Sequence, residues 1–210
     1  KFDSSGVVVT PRWDLRAIAS NGYVYAIGGC GTGTAPDGCT TMQPEIQTFQ
    51  LYNNDSGTPI GYTASANQFT TDRFGGSSAI VGGYLYVAGG CLTIACTTAG
   101  VGITDSVQYA SIDTYGNLSS AWSAGNALPA ARAWGQLEVI ANTLYYIGGQ
   151  DDTGTAQTTV YYSSSIASGN PTWASAANVL PAARTQFGAT SWDGRLYVTG
   201  GLNGSGTRQT

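Results

Sequence analysis

The side chains able to do chemistry in this 210-residue chain are few: four cysteines, twelve carboxylates, eight lysines and arginines, and no histidine. Without histidine there is no imidazole base, no Ser-His-Asp triad and no histidine-ligated copper or zinc. The cysteines offer two chemistries. Cys30 and Cys91 each follow a glycine pair directly, and Cys39 and Cys96 lie nine and five residues further on. Four cysteines allow three connectivities, and only Cys30–Cys39 with Cys91–Cys96 needs no contact between the two loops. The competing reading is a four-thiolate zinc site, which favours C-x₂₋₄-C spacing on both halves. Cys91 and Cys96 fit that spacing; Cys30 and Cys39 do not. Disulfides would place the chain in an oxidising compartment.

The carboxylates select no site. Only two of the twelve are glutamates, and nothing in their spacing marks the pair that glycoside hydrolysis requires. Asp151-Asp152-Thr153-Gly154 could contribute to a calcium loop, but too few acids cluster there for about 6–8 oxygen ligands. A solvated turn is the simpler reading. No catalytic residue, metal ligand or cofactor is therefore assigned. Four arginines, Arg12, Arg73, Arg132 and Arg184, are spaced regularly, each sixteen residues before a glycine pair. Repetition argues for a structural bridge to backbone carbonyls or a carboxylate, because a catalytic residue is usually unique. Trp13, Phe74, Trp134 and Phe187 lie beside these arginines and complete a candidate binding face.

The elements that must position these residues repeat as well. Tyr23–Ile27, Tyr84–Ala88, Thr143–Ile147 and Arg195–Thr199 are strand-like runs ending at Gly28-Gly29, Gly89-Gly90, Gly148-Gly149 and Gly200-Gly201. Arginines and glycine pairs both recur at intervals of 61, 59 and 52 residues. Between them, a small apolar stretch closes in Asn21-Gly22, Gly82-Gly83, Ala141-Asn142 or Asp193-Gly194, giving a hairpin with a type I′ turn. The third turn lacks glycine and is the weakest of the four. Third strands are expected at Gln47–Leu51, Val107–Ile112 and Thr158–Ser163, and fourth strands around Tyr62, Trp122 and Trp173. Each unit thus predicts four short antiparallel strands, and a period of this length marks propeller blades.

This grammar resembles the kelch repeat, whose pattern is an arginine, a hydrophobic strand, an L-Y-V-I-G-G-like strand, a tyrosine-containing strand and a tryptophan. Arg132–Gly149 and Arg184–Gly201 are the clearest copies. The first unit departs, with Tyr62 in place of tryptophan and no Leu-Pro before Arg73. The resemblance implies an all-β, kelch-like β-propeller of four-stranded antiparallel blades. Units are expected at 12–72, 73–131 and 132–183, with a preceding blade's last strand at 1–11 and a partial blade at 184–210. Radial stacking would cover both faces of each blade, which no single blade can do alone. Galactose oxidase, a kelch-propeller enzyme family, uses histidine copper ligands that this chain lacks. Ser111-Ile112-Asp113-Thr114-Tyr115-Gly116 approaches a sialidase box, but one extra residue separates Asp113 from Gly116, and a turn is the better reading.

Composition points outside the cytosol. Charged residues are 10% of the chain, against ~25% in typical domains, and Gly, Ser and Thr abound. The net charge of −4 argues against nucleic acid or an anionic membrane surface as partner. No apolar run approaches the ~18 residues of a membrane-spanning helix. The sequons at Asn54, Asn117 and Asn203 would be glycan acceptors only in a host that glycosylates. The first residue is not Met, and the end segments together fall short of a complete unit. Both facts predict a piece of a longer polypeptide, whose remainder would complete the propeller.

The expected function is a non-catalytic binding, adhesion or structural module of a secreted or cell-surface protein. It would recognise a protein or glycan through the strand 2–3 loops Cys30–Pro44, Cys91–Thr104 and Gln150–Gln157, which share one face with the arginines. Exposed tryptophans on that face would favour a glycan, a flat apolar patch a protein. A plainer alternative has the loops shielding the blade ends or packing against neighbouring subunits of a surface assembly. The alternative from another class is part of a carbohydrate-active or oxidase-like propeller enzyme with its catalytic residues outside this segment.

Overall fold

In the computed structural model of the protein, residues 11–34, 38–44, 46–51, 59–64, 70–97, 101–118 and 121–209 are described. The expected strand at 1–11 and the sequon at Asn54 therefore lie, apart from Pro11, outside the described residues. The first unit comprises β1 (Arg16–Ser20), β2 (Tyr23–Ile27), β3 (Cys30–Thr34), β4 (Gly38–Met42), β5 (Ile46–Leu51) and β6 (Pro59–Ala64). The second comprises β7 (Ser77–Val81), β8 (Tyr84–Ala88), β9 (Val107–Ser111) and β10 (Ser123–Gly125). The third comprises β11 (Gln136–Ile140), β12 (Thr143–Ile147), β13 (Val160–Ser165) and β14 (Thr172–Ser175), and β15 (Gly188–Trp192) with β16 (Arg195–Thr199) follows. Among the described residues every pairing of these strands is antiparallel, and the longest helical stretch is the 3-10 turn Ile94–Thr97.

Three four-stranded sheets result, β1-β2-β5-β6, β7-β8-β9-β10 and β11-β12-β13-β14, plus the pairs β15-β16 and β3-β4. Strand order in each large sheet follows the sequence, and the longest connections run from second to third strand, over 28–45, 89–106 and 148–159. The β3–β4 hairpin is a difference from expectation. Its strands replace what reads as a loop, and the Cys30–Cys39 bond ties them together. Trp122 lies just before β10 rather than inside it. The hairpin turns take left-handed backbone where the sequence anticipates it: Asn21 and Gly22 at φ 49° and 81°, Ala141 and Asn142 at 46° and 63°. Ala141 adopts this geometry without glycine, at the ~1–2 kcal/mol that an L-residue loses in that region.

The core is the set of junctions between successive sheets. Tyr25, Ile27 and Ile46 of the first sheet pack on Leu85, Val87, Ala110 and Trp122 of the second unit. Tyr86 and Ala88, on the opposite face of β8, meet Leu137, Leu144 and Tyr146 of the third. Ile147 and Val160 then meet Phe187, with Leu196 and Val198 alongside. Each large side chain so buried contributes about 1.5–3 kcal/mol. The rule that alternate residues of a strand face opposite neighbours thus carries one junction to the next. On β15 and β16 the outward face is open: Trp192 is 69% exposed and Tyr197 44%, whereas the equivalent Tyr25 and Tyr86 are 1% and 0% exposed.

The first strands of successive units lie side by side, β1 against β7, β7 against β11 and β11 against β15. This inner edge, formed by the strand nearest each arginine, positions the site described next.

Candidate functional site

The arginines and glycine pairs form one hydrogen-bonding device. Nη1 of Arg12, Arg73 and Arg184 donates to the carbonyl of the first glycine of its own unit: Gly28 at 3.1 Å, Gly89 at 2.9 Å and Gly200 at 2.8 Å. The second glycine's N–H reaches the next unit instead. Gly29, Gly90 and Gly149 donate to the carbonyls of Arg73, Arg132 and Arg184 at 3.2, 2.7 and 2.9 Å. Side chain and carbonyl of one residue thus lock its own unit and fasten the preceding one. Both glycines of all four pairs have positive φ. A Cβ on Gly90 would stand 2.9 Å from the backbone of Gly76 and from the Phe74 carbonyl oxygen, so only glycine fits. Arg132 departs, donating to Thr159 Oγ1 and Tyr161 Oη at 3.0 and 2.9 Å, with its guanidinium 5.3 Å from the Tyr161 ring centre.

Two residues after each arginine the backbone is left-handed in all four units: Asp14, Gly75, Trp134 and Gln186 have φ of 53°, 62°, 52° and 55°. Consecutive units are stitched there too, since Trp134 N donates to the Gly75 carbonyl and Gln186 N to that of Trp134. The conformation repeats while the side chains do not. This bend turns the chain at the inner edge and, at the three positions that are not glycine, aims the side chains of Asp14, Trp134 and Gln186 at one space.

Trp134 Nε1 donates to Asp14 Oδ2 at 2.8 Å, linking the first unit to the third. Arg16 reaches both following units, Nε donating to the Gly76 carbonyl of the second at 2.9 Å and Nη2 to the Gly135 carbonyl of the third at 3.0 Å. With Trp13, Gln136, Gln186 and Phe187 these residues line an open cavity of about 350 Å³. A second space of about 380 Å³ continues past Arg16 and Gln136 along the first strands, where Ser77, Glu138 and Ser191 line it. A larger groove of about 610 Å³ beside β15–β16 is lined mainly by aliphatic side chains and two tyrosines, Tyr145 and Tyr162. Sites that orient a ligand combine apolar walls with convergent polar groups. The inner-edge cavity has both.

Burial governs the electrostatics here. It pushes the Asp14 carboxyl up from its ordinary range, opposed by the Trp134 hydrogen bond and by the Arg16 charge. Burial likewise pulls the Arg16 guanidinium down, opposed by Tyr146, Asp14 and Glu138. Glu138 is raised by burial against its hydrogen bonds with Ser191 and the Arg16 charge. One guanidinium thus stands near two carboxyls whose ionisation burial opposes.

Of the residues expected to form a binding face, Trp13, Trp134 and Phe187 line the cavity. Arg73, Arg132 and Phe74 are buried beneath the loops, and Arg12 and Arg184 turn to glycine carbonyls. The eight do not make one ligand-facing patch. All four cysteines are paired, Cys30 with Cys39 and Cys91 with Cys96, and both bonds are enclosed with Phe74, Ala133 and Trp134. The two stapled loops pack on an aromatic row in which Phe74 meets Trp13 and Trp134 edge-on, centroids 6.2 and 6.3 Å apart. Asp14, Arg16, Gln136 and Gln186 do not emerge from a search for repeated markers. Their signal is the reverse, unlike residues at positions whose backbone repeats.

The acidic motifs are turns. Asp151 Oδ1 accepts from the amides of Thr153 and Thr155, and its Oδ2 from Gln157. Asn203 accepts from Ser205 and Thr207 in the same way, so Gln150–Gln157 and Leu202–Gln209 are two copies of one loop. Asp113, in the sialidase-like segment, accepts from the amides of Tyr115 and Asn117. Its oxygens, like those of Asp151, are occupied by the turn itself.

These elements define an all-β protein of consecutive antiparallel four-stranded sheets, with a mixed aromatic and polar cavity at their inner edge. Compared with known proteins, the chain matches no protein-family model and no curated protein sequence.

Proposed function

We propose that the chain is an arc of a kelch-like β-propeller serving as a non-catalytic binding module of a secreted or cell-surface protein. The propeller reading is supported by sequence-ordered four-stranded sheets whose first strands adjoin and whose faces stack in series. An oxidising, extracellular setting agrees with the two disulfides; among the described residues no helix is long and apolar enough to cross a membrane. The observation that carries the binding reading is the division of labour at the inner edge. Repeated residues are consumed by the scaffold, while the unrepeated Asp14, Arg16, Gln136 and Gln186 converge on one cavity with Trp13 and Trp134. The ligand is a protein element or a glycan entering that cavity from the face of the disulfide-tied loops, and the remainder of the ring covers the open face of β15–β16.

The test uses the disulfide-intact chain on a glycan array and on immobilised extracellular-matrix proteins, beside Gln186→Trp. Tryptophan already occupies the equivalent position, Trp134, at nearly the same φ, so this variant fills the cavity and adds no backbone strain beyond that of the parent. Binding that Gln186→Trp abolishes is the expected result. Binding that this variant leaves untouched, or turnover of a sugar or alcohol by the chain alone, overturns the reading.

A further inference from the structure

Resting on that reading of the cavity, we infer that its ligand is a neutral saccharide, bound through one terminal sugar ring. Three features of the inner edge carry this. The first is the pairing of wall chemistries. Trp13, Trp134 and Phe187 give aromatic walls, and Asp14, Arg16, Gln136 and Gln186 give planar acceptors and donors. A pyranose is the matching object: its C–H faces lie against aromatic rings while its equatorial hydroxyls each donate and accept.

The second feature is charge. Asp14 and Arg16 stand on the same cavity wall, with Glu138 beyond them. An anionic ligand meets two carboxylates, and a cationic one meets a guanidinium already bound to two carbonyls. A neutral polyol uses both signs at once without leaving a buried charge unpaired. The third is size and rigidity. About 350 Å³ at ~30 Å³ per water holds about a dozen non-hydrogen atoms, one hexose ring with its hydroxyls. The Trp134 ring is held by its bond to Asp14 and by edge-on contact with Phe74, and Gln136 is held by the Phe187 carbonyl. Gln186, on the exposed rim, is the polar side chain left to adapt to the ligand.

A site of this size gives modest affinity, about 1 mM for a single sugar. The experiment is ¹H–¹⁵N NMR of the indole N–H signals of the disulfide-intact chain. It is titrated separately with glucose, galactose, mannose, N-acetylglucosamine, glucuronate and free glutamine. The expected result is that at least one neutral sugar shifts the Trp13 and Trp134 signals saturably while Trp192, exposed and outside the cavity lining, stays in place. Gln186→Trp should abolish the shifts. Gln186→Gly, which suits the left-handed bend, should weaken binding about 3–10-fold with an unchanged fold. If glucuronate or glutamine shifts the two signals and no neutral sugar does, the saccharide inference falls and the binding module stands. If no neutral sugar shifts them but a matrix protein binds and loses binding in Gln186→Trp, the outcome is the same. If neither sugars nor proteins engage the cavity, both readings fall.

Discussion

Replacing Arg73 by methionine isolates the hydrogen-bonding device that repeats along the chain. Arg73 is 2% exposed and donates to the Gly89 carbonyl at 2.9 Å, the Ser106 carbonyl at 3.2 Å and Ser106 Oγ at 3.0 Å. Burial pulls its pKa from 12.5 down to about 10, a charging penalty of about 3 kcal/mol. Hydrogen bonds to a charged group contribute about 1.5–3 kcal/mol each, so three give roughly 4–9 kcal/mol. The difference predicts that Arg73→Met destabilises by about 1–6 kcal/mol, because methionine keeps the apolar stem but removes the donor to the buried Gly89 carbonyl. Arg184→Met is the control. Arg184 is only half-buried and donates to Gly200, so its replacement should cost about 1 kcal/mol or less. With an m-value of about 2 kcal/mol/M, the urea midpoint should fall by about 0.5–3 M for Arg73→Met and by less than about 0.5 M for Arg184→Met. Equal shifts, or an Arg73→Met midpoint within about 0.3 M of the parent, would refute the device.

Three further outcomes are expected. Replacing either cysteine pair by serine should lower stability by about 2–3 kcal/mol, the loop-closure value for separations of nine and five residues; urea melts check it, and non-reducing peptide mapping should return only the two local cross-links. Gly90→Ala should cost more than about 3 kcal/mol through positive φ and backbone collision, whereas Gly83→Ala, with nothing within 4 Å of the added methyl, should cost about 1 kcal/mol; equal losses would contradict the close approach. Asp14 and Glu138 are raised by burial, as is Asp72. A raised folded pKa gives a contribution present below the unfolded value and lost as pH rises through the folded one, so these acids should make thermal stability rise as pH falls from their raised pKa toward about pH 4. Asp113 is held low by the amide of Asn117, and Asp151 by turn hydrogen bonds that outweigh burial. Their contribution is present above about pH 4 and disappears below it. Asp14→Asn should flatten the rise; an unchanged melt-versus-pH curve would count against a buried Asp14 charge.

How far the sequence reveals this molecule depends on whether a feature is local. Turns and second strands were legible because Asn-Gly, Gly-Gly and Asp-Gly commit the backbone within two residues, and Tyr25, Tyr86 and their equivalents sit at a fixed offset from them. The disulfide pairing was legible for the same reason: each bond closes over fewer than ten residues. The β3–β4 hairpin was not, because Gly31, Gly33 and Gly38 weaken any strand signal and the Cys30–Cys39 bond supplies the missing persistence. The fourth strand expected around Trp122 is β10, which begins at the next residue, while Trp122 itself joins the cluster of Tyr25 and Val87. The cavity was out of reach altogether. Asp14 and Trp134 are 120 residues apart, and nothing in either neighbourhood announces the other.

The position two residues after each arginine shows why repetition alone could not find that cavity. A search for periodic residues returns arginine and glycine, whose hydrogen bonds to carbonyls and amides must recur wherever the backbone recurs. Those residues are thereby used up, their donors turned inward to Gly28, Gly89 and Gly200. The recurrent bend itself imposes no side chain. It asks only for φ near 55°, which asparagine, aspartate and glycine adopt most readily. Yet tryptophan and glutamine occupy it in two of the four units. A residue that carries backbone strain without serving the repeat needs another reason to be there, and strain of this kind gathers where a side chain must be aimed. For Trp134 the aim is visible, across the inner edge to Asp14 at 2.8 Å. Gln186 has the same bend and an exposed rim position, with its side chain lining the cavity. Relieving that strain gives a direct reading of the cause. Gln186→Gly should raise the melting temperature by a few degrees, corresponding to about 1 kcal/mol, while it weakens ligand binding. A glycine variant no more stable than the parent would mean that the bend carries no strain at Gln186, and the argument from strain to site would fail there.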